Sequence, residues 1–268
     1  MRLSTVFLLS ALLAPAASIE HALNRMYNFD FNNADKEMDA YVAAHPEDPL
    51  GHGFRAASFL FRELDRLKIL EGEFFASNKR VMDKRELRPD ATLKQRFHSS
   101  LDVSRDKAKA ALQKNGNDKN ALFAMSLAAG LTGDYVALVE KRQLGSLSHG
   151  KEAQSYAVKL LKLDPNFADA HLTTGLTEYL LGVAPFFVKW FVRFEEAEGD
   201  KSLAVKKLSE AAAKGKYLGP FAKIMLAIID VREKRPRSAE LRLIELCRDF
   251  PENPLFPKEL ESLRPKLK

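Results

Sequence analysis

The chain has 268 residues, 46% of them hydrophobic and 29% charged, with 42 basic against 36 acidic side chains and a formal charge of +6. That excess is mild and interspersed, and no zinc-finger spacing or aromatic-rich ribonucleoprotein motif accompanies it, so no nucleic-acid partner is expected. A single cysteine, Cys247, excludes an intramolecular disulfide, and a chain of this length can hold itself together by core packing alone.

Residues 1–18 carry the three zones of a secretory signal: Met1-Arg2, the apolar stretch Leu3 to Leu13, then the small residues Ala14-Pro15-Ala16-Ala17-Ser18. A cut after Ala16 or after Ser18 places small residues at the site and two positions before it. The apolar run is short for a membrane span, and an uncleaved N-terminal anchor is the other reading. The expected destination is the periplasm or cell envelope.

From residue 19 to 268 the apolar residues recur with a helical period, and alternating patterns long enough for strands are missing, so the class is all-α. The first helix ends at His45-Pro46-Glu47-Asp48-Pro49 after Ala34, Met38 and Tyr41. A stretched segment follows between Arg66 and Leu93, with Lys79, Arg80, Lys84, Arg85 and Arg88 among acids, read as a solvated charged loop or a contact for an acidic partner or anionic lipid heads. Asn115-Gly116-Asn117-Asp118 is the next break, and a second stretched segment lies near 135–151. Ala153, Ala157 and Leu160 then lead to Asp164-Pro165-Asn166, where a helix containing Gly175 begins. A third insertion, 181–198, holds the only tryptophan, Trp190, beside Lys189 and Arg193. It reads as an aromatic plug or as a peripheral membrane contact. After Gly199-Asp200, the residues Ala204, Leu208 and Ala211 lead to Lys214-Gly215, and Ala239, Leu243 and Leu246 lead to Phe250-Pro251. A polar helix over 255–266 suits a terminal cap. Cys247, between Leu246 and Arg248 in an amphipathic run, reads as a small packing residue.

This grammar of Ala, then a large apolar residue, then a Pro- or Asn-rich stop resembles the second helix of the tetratricopeptide repeat, a unit of roughly 34 residues. The match is best over Pro220 to Asn253, where Ala227 stands at the close approach of paired helices; Gly175 has the same place one unit earlier. The chain as a whole is similar to exported bacterial proteins of that family. The resemblance implies an α-solenoid of about five antiparallel helix pairs, working as a protein-interaction scaffold without enzymatic activity.

The resemblance also implies a concave face made by the first helix of each pair, and hence a groove for a protein or peptide. Its candidate residues here are Phe54 and Phe61, Met125, then Leu172, Leu176 and Tyr179, then Phe221 and Met225, with Trp190 on the adjoining insertion. So apolar a face has two readings. Either it is filled as ordinary core, or it holds an apolar peptide or lipid-like ligand, which would make the protein a carrier or sensor.

No cofactor or metal is expected. The six histidines lack the paired spacing of a helical zinc site, and Gly130-Leu131-Thr132-Gly133-Asp134 lacks the Lys-Ser/Thr ending of a phosphate loop. His171 with Asp169 and Glu178 is the one tempting acid–base group, and His171 stands where the repeat places a packing residue. The acids Glu195, Glu196, Glu198 and Asp200 suit a cation only if their oxygens converge; Asp200 reads more simply as a helix cap.

Overall fold

The computed structural model describes residues 17–71, 87–184 and 194–267, and among them it contains α-helices and short turns with no strand. The helices are α1 (Ile19–Tyr27), α2 (Phe31–Ala44), α3 (Pro49–Arg66), α4 (Ala91–Lys114), α5 (Lys119–Asp134), α6 (Gln143–Leu163), α7 (Ala170–Val183), α8 (Lys201–Lys214), α9 (Gly219–Arg232), α10 (Pro236–Asp249) and α11 (Leu255–Leu263). Consecutive helices pack as the pairs α1/α2, α3/α4, α5/α6, α7/α8 and α9/α10, and α11 covers α10. The chain is thus a solenoid of stacked helix pairs. The aromatic insertion with Trp190 and the basic residues at 79–85 lie outside the described residues.

Five helix starts are set by aspartate. Asp30, Asp48, Asp90, Asp118 and Asp200 each accept a hydrogen bond from a backbone amide in the first turn of the helix that follows, satisfying donors that the helix cannot reach. The junction phrases become one repeated turn. The amides of Asp48, Asp118, Phe167 and Asn253 donate to the carbonyls of His45, Asn115, Asp164 and Phe250 respectively, at 3.0–3.2 Å.

Pairs close tightly where the small residues sit. A Cβ at Gly175 would lie 2.9 Å from Leu208 Cγ and 3.2 Å from the Ala204 carbonyl, so only glycine lets α7 approach α8 this closely. The helix most apolar in sequence is α5. Lys119–Val139 is apolar enough to cross a membrane by composition, yet Ala121 through Ala129 are all buried in this fold. Packing against α3, α4, α6 and α7 accounts for that composition.

Parts of two expected insertions are among the described residues. In the stretched segment near 135–151, Tyr135–Val139 forms a π-turn that extends α5, and α6 begins at Gln143. The region beyond Phe194 folds as a tight turn, bridged between Phe194 and Ala197, and leads to Gly199 at φ +83.

Candidate functional site

The inner face is formed by the first helix of each pair, and its candidate groove residues are packed there. Phe54, Met125, Leu172 and Tyr179 are buried, and Phe61, Leu176, Phe221 and Met225 are half-buried against the same core. The superhelix turns far enough for its beginning to meet its end. Phe61 of α3 contacts Phe221 of α9 edge-on, with ring centroids 5.6 Å apart. Tyr217, in the turn before α9, reaches Phe54 at 5.1 Å and stacks on Phe123 at 6.2 Å. Among the described residues, the face is therefore filled by aromatic side chains that include residues from opposite ends of the chain.

Helix α1 wedges between these ends. Its Ile19, Ala22, Leu23, Met26 and Tyr27 are all buried. The Tyr27 ring touches Phe61 of α3 and Phe250 at the end of α10. Complete burial, with the Asp169 charge nearby, holds the Tyr27 phenol well above the ordinary tyrosine pKa. Polar contacts complete the seam: Asn253 Nδ2 donates to the Tyr27 carbonyl at 2.7 Å, the Glu252 amide donates to Asn28 Oδ1, and Lys216 pairs with Glu20. Lys258 of α11 also reaches Glu71, beyond α3. Burying the four large α1 side chains contributes about 1.5–3 kcal/mol each as an upper bound. Their sum rivals the ~5–15 kcal/mol net stability of a domain, so α1 belongs to the fold and is no detachable plug.

The tempting acid–base group does not assemble, because each member is engaged in a separate structural contact. Asp169 accepts from the amides of Lys216, Tyr217 and Leu218 at 2.7–3.0 Å; burial nevertheless raises its pKa above the ordinary carboxylate value. Glu178 Oε2 accepts from the amides of Glu198, Gly199 and Asp200, while its Oε1 receives Lys207 Nζ. The His171 Nε2 lies 3.3 Å from the Pro165 carbonyl. In the acidic run, Glu195 and Glu196 both pair with Lys162, and Asp200 caps α8. No group of three metal-ligating side chains occurs among the described residues.

Buried carboxylates are what sequence reasoning missed. Glu63 takes a bidentate pair from Arg66 and the Asp90 amide, Asp230 takes Arg235 and Arg242, and Asp35 takes the Ser58 hydroxyl and Arg62. Like Glu178 and Asp169, each uses a carboxylate on one helix to fix another segment of the stack or a neighbouring turn. The signal was present, since Glu63 precedes Leu64 and Asp230 follows Ile229 on otherwise apolar faces.

Two clefts stand out. One, of about 270 Å³ between α7, α8 and α9, is lined by Tyr179, Lys201, Ser202, Val205, Ile229 and Glu233, among others. Its polar groups are paired internally: Lys201 donates to both Glu233 oxygens and the Tyr179 hydroxyl donates to Oε1, which keeps the Glu233 pKa below the usual carboxylate value. The second, about 370 Å³ between α3 and α4, has Arg55 and Arg96 over the Phe59 ring, at 6.0 and 4.1 Å from its centroid. Arg55 is paired with Asp39 and Arg96 lies 3.9 Å from Asp35. Of the described residues expected to form a groove, Tyr179 alone lines either cleft.

No protein-family model and no curated protein matches the chain. Among solved structures it is similar to a thermophilic tetratricopeptide-repeat protein of Thermus thermophilus, with 14% sequence identity and a TM-score of 0.47, over 92% of this chain and 98% of that one.

Proposed function

We propose that this protein is a non-enzymatic interaction scaffold, exported to the cell envelope, that meets protein partners on its outer surface. The observation that carries this reading is the sealed interior: the face expected to bind is occupied by the chain's own aromatics, and the carboxylates described above are committed to structural contacts. That packing favours a scaffold over a carrier of an apolar ligand. What remains available is the outside of the stack, where Leu241 and Ile244 of α10 stand one helical turn apart and largely exposed. Export rests on the signal-like residues 1–18.

The test is cross-linking mass spectrometry on the tagged full-length chain in a Gram-negative host, after fractionation. The expected result is recovery from the envelope with cross-linked proteins that disappear in the Leu241→Asp/Ile244→Asp variant. An unchanged set of partners in that variant removes α10 from the account. Recovery of the chain from the cytoplasm refutes the export reading.

A further inference from the structure

We infer, building on the scaffold reading, that the cleft between α3 and α4 is a carboxylate-binding site whose occupant is an aspartate or glutamate side chain of a partner protein. The ground for it is the charge that the fold leaves over at this place.

Helices α2, α3 and α4 meet around the cleft, and most of their charges cancel. Arg55 Nε lies 2.8 Å from Asp39 Oδ1, Arg62 lies 3.1 Å from Asp35 Oδ2, and Lys107 donates to Glu47 at 2.9 Å. Asp35 also accepts from the Ser58 hydroxyl at 2.9 Å, and Asp48 is taken up in capping α3 and by the Tyr41 hydroxyl. Burial lowers the His52 pKa, with Lys107 and Arg55 nearby adding to the effect, so this ring is uncharged at neutral pH. What is left over is Arg96. It comes no closer than 3.9 Å to Asp35, which is already satisfied, and it makes no hydrogen bond among the described residues.

This surplus guanidinium is held in place. It lies over the Phe59 ring, 4.1 Å from the centroid, and Arg55 approaches the same centroid to 6.0 Å. Stacking fixes the plane of the fork and leaves the N–H groups along its edge able to donate, the arrangement that takes both oxygens of a carboxylate. Gln95 and Ser99, exposed on α4, line the same cleft and add donors beside it. With a volume of about 370 Å³ the cleft has room for one or two side chains. One surplus positive charge matches one carboxylate. A phosphate dianion or an anionic membrane would bring more negative charge past the exposed Asp39 than Arg96 offsets.

NMR titration of the purified protein, read at the Nε–Hε signals of its arginines, tests the site without any partner. The probe is N-acetyl-glutamate N-methylamide, and its glutamine counterpart is the control. The glutamate probe should shift the Arg96 signal saturably and more weakly as salt is raised, while the glutamine probe should not. Arg96→Gln should weaken the remaining response about tenfold or more. If Arg96→Gln fails to fold, Ser99→Glu, at an exposed position, sets a competing carboxylate one turn from Arg96 and should have the same effect. Absence of a saturable shift, or an undiminished response in the folded variant, overturns the site. A preference for inorganic phosphate, or Arg96-dependent binding to phosphatidylglycerol vesicles, overturns the choice of a carboxylate side chain. Cross-linking separates the site from the scaffold reading beneath it. Together with the probe response, partners lost in Arg96→Gln support the inference. Partners fully retained in Arg96→Gln overturn it and leave the scaffold standing, and a wild type without partners overturns the scaffold and the occupant together.

Discussion

Replacing Asn253 with alanine tests whether the solenoid is closed. Asn253 is buried, its Nδ2 donates to the Tyr27 carbonyl at 2.7 Å, and its Oδ1 accepts from the Leu255 amide at 2.9 Å. The substitution leaves one buried carbonyl and one partly buried amide unpaired, at roughly 1–3 kcal/mol for each group. A total of about 2–6 kcal/mol follows, which for a chain of this size lowers the melting temperature by about 4–24 °C. Asn166, exposed in the corresponding turn before α7, provides the control: Asn166→Ala should shift the midpoint by less than about 0.5 kcal/mol. Circular dichroism melts give the magnitude and hydrogen exchange gives the location, because the α1 amides should lose protection first although they lie 226 residues away in sequence. If Asn253→Ala melts with the wild type and α1 exchange is unaltered, the first and last helix pairs do not meet as described.

Other perturbations probe the remaining contacts. Glu178→Ala strips the acceptor from three amides and isolates Lys207, and should cost about 3–5 kcal/mol in chemical denaturation; a loss under 1 kcal/mol would show that the 198–200 turn holds itself. Lys68 and Lys234 have φ of +58 at helix ends, where the following amides of Ile69 and Arg235 donate back to Leu64 and Asp230. Glycine has no steric cost in that conformation, so Lys68→Gly and Lys234→Gly should each stabilise the fold by ~1 kcal/mol, and a lower melting temperature would contradict this account. The pairing of Glu233 with Lys201 lowers the folded-state pKa of its carboxyl. Its stabilisation is therefore present above the ordinary carboxylate pKa and is lost as pH falls through the depressed value. Melting temperatures of wild type and Glu233→Gln should differ at neutral pH, by less than about 1 kcal/mol in stability, and converge in acid; a gap that widens in acid reverses the sign.

Much of the architecture is written locally, and so was readable. Asp48, Asp118 and Asp200 announce helix starts, Pro46 and Pro165 mark stops, and Gly175 marks a close helix pair; each acts within a few residues of itself. The filling of the inner face was not legible in the same way. Whether Phe61 meets Phe221 depends on small rotations accumulated over several pairs, and no window of sequence contains that sum. Tyr217 lies just after the Lys214-Gly215 break, yet it packs on Phe54 and Phe123 because closure brings that turn across the centre. Glu178 and Asp169 look like chemistry for a related reason: an acid in an apolar helix has two explanations, and the amides that distinguish them come from residues 198–200 and 216–218.

Helix α1 also sets the order of events during synthesis. It leaves the ribosome before the other helices, while Phe250 and Asn253, against which it packs, arrive more than 220 residues later. At about 5–20 residues per second that interval is on the order of ten to forty seconds. For its duration a nine-residue helix, too short to persist alone in water, exposes Ile19, Leu23, Met26 and Tyr27 with half of its partners absent. The nascent chain therefore carries a sticky segment at α1, and a holding chaperone would find a binding segment there.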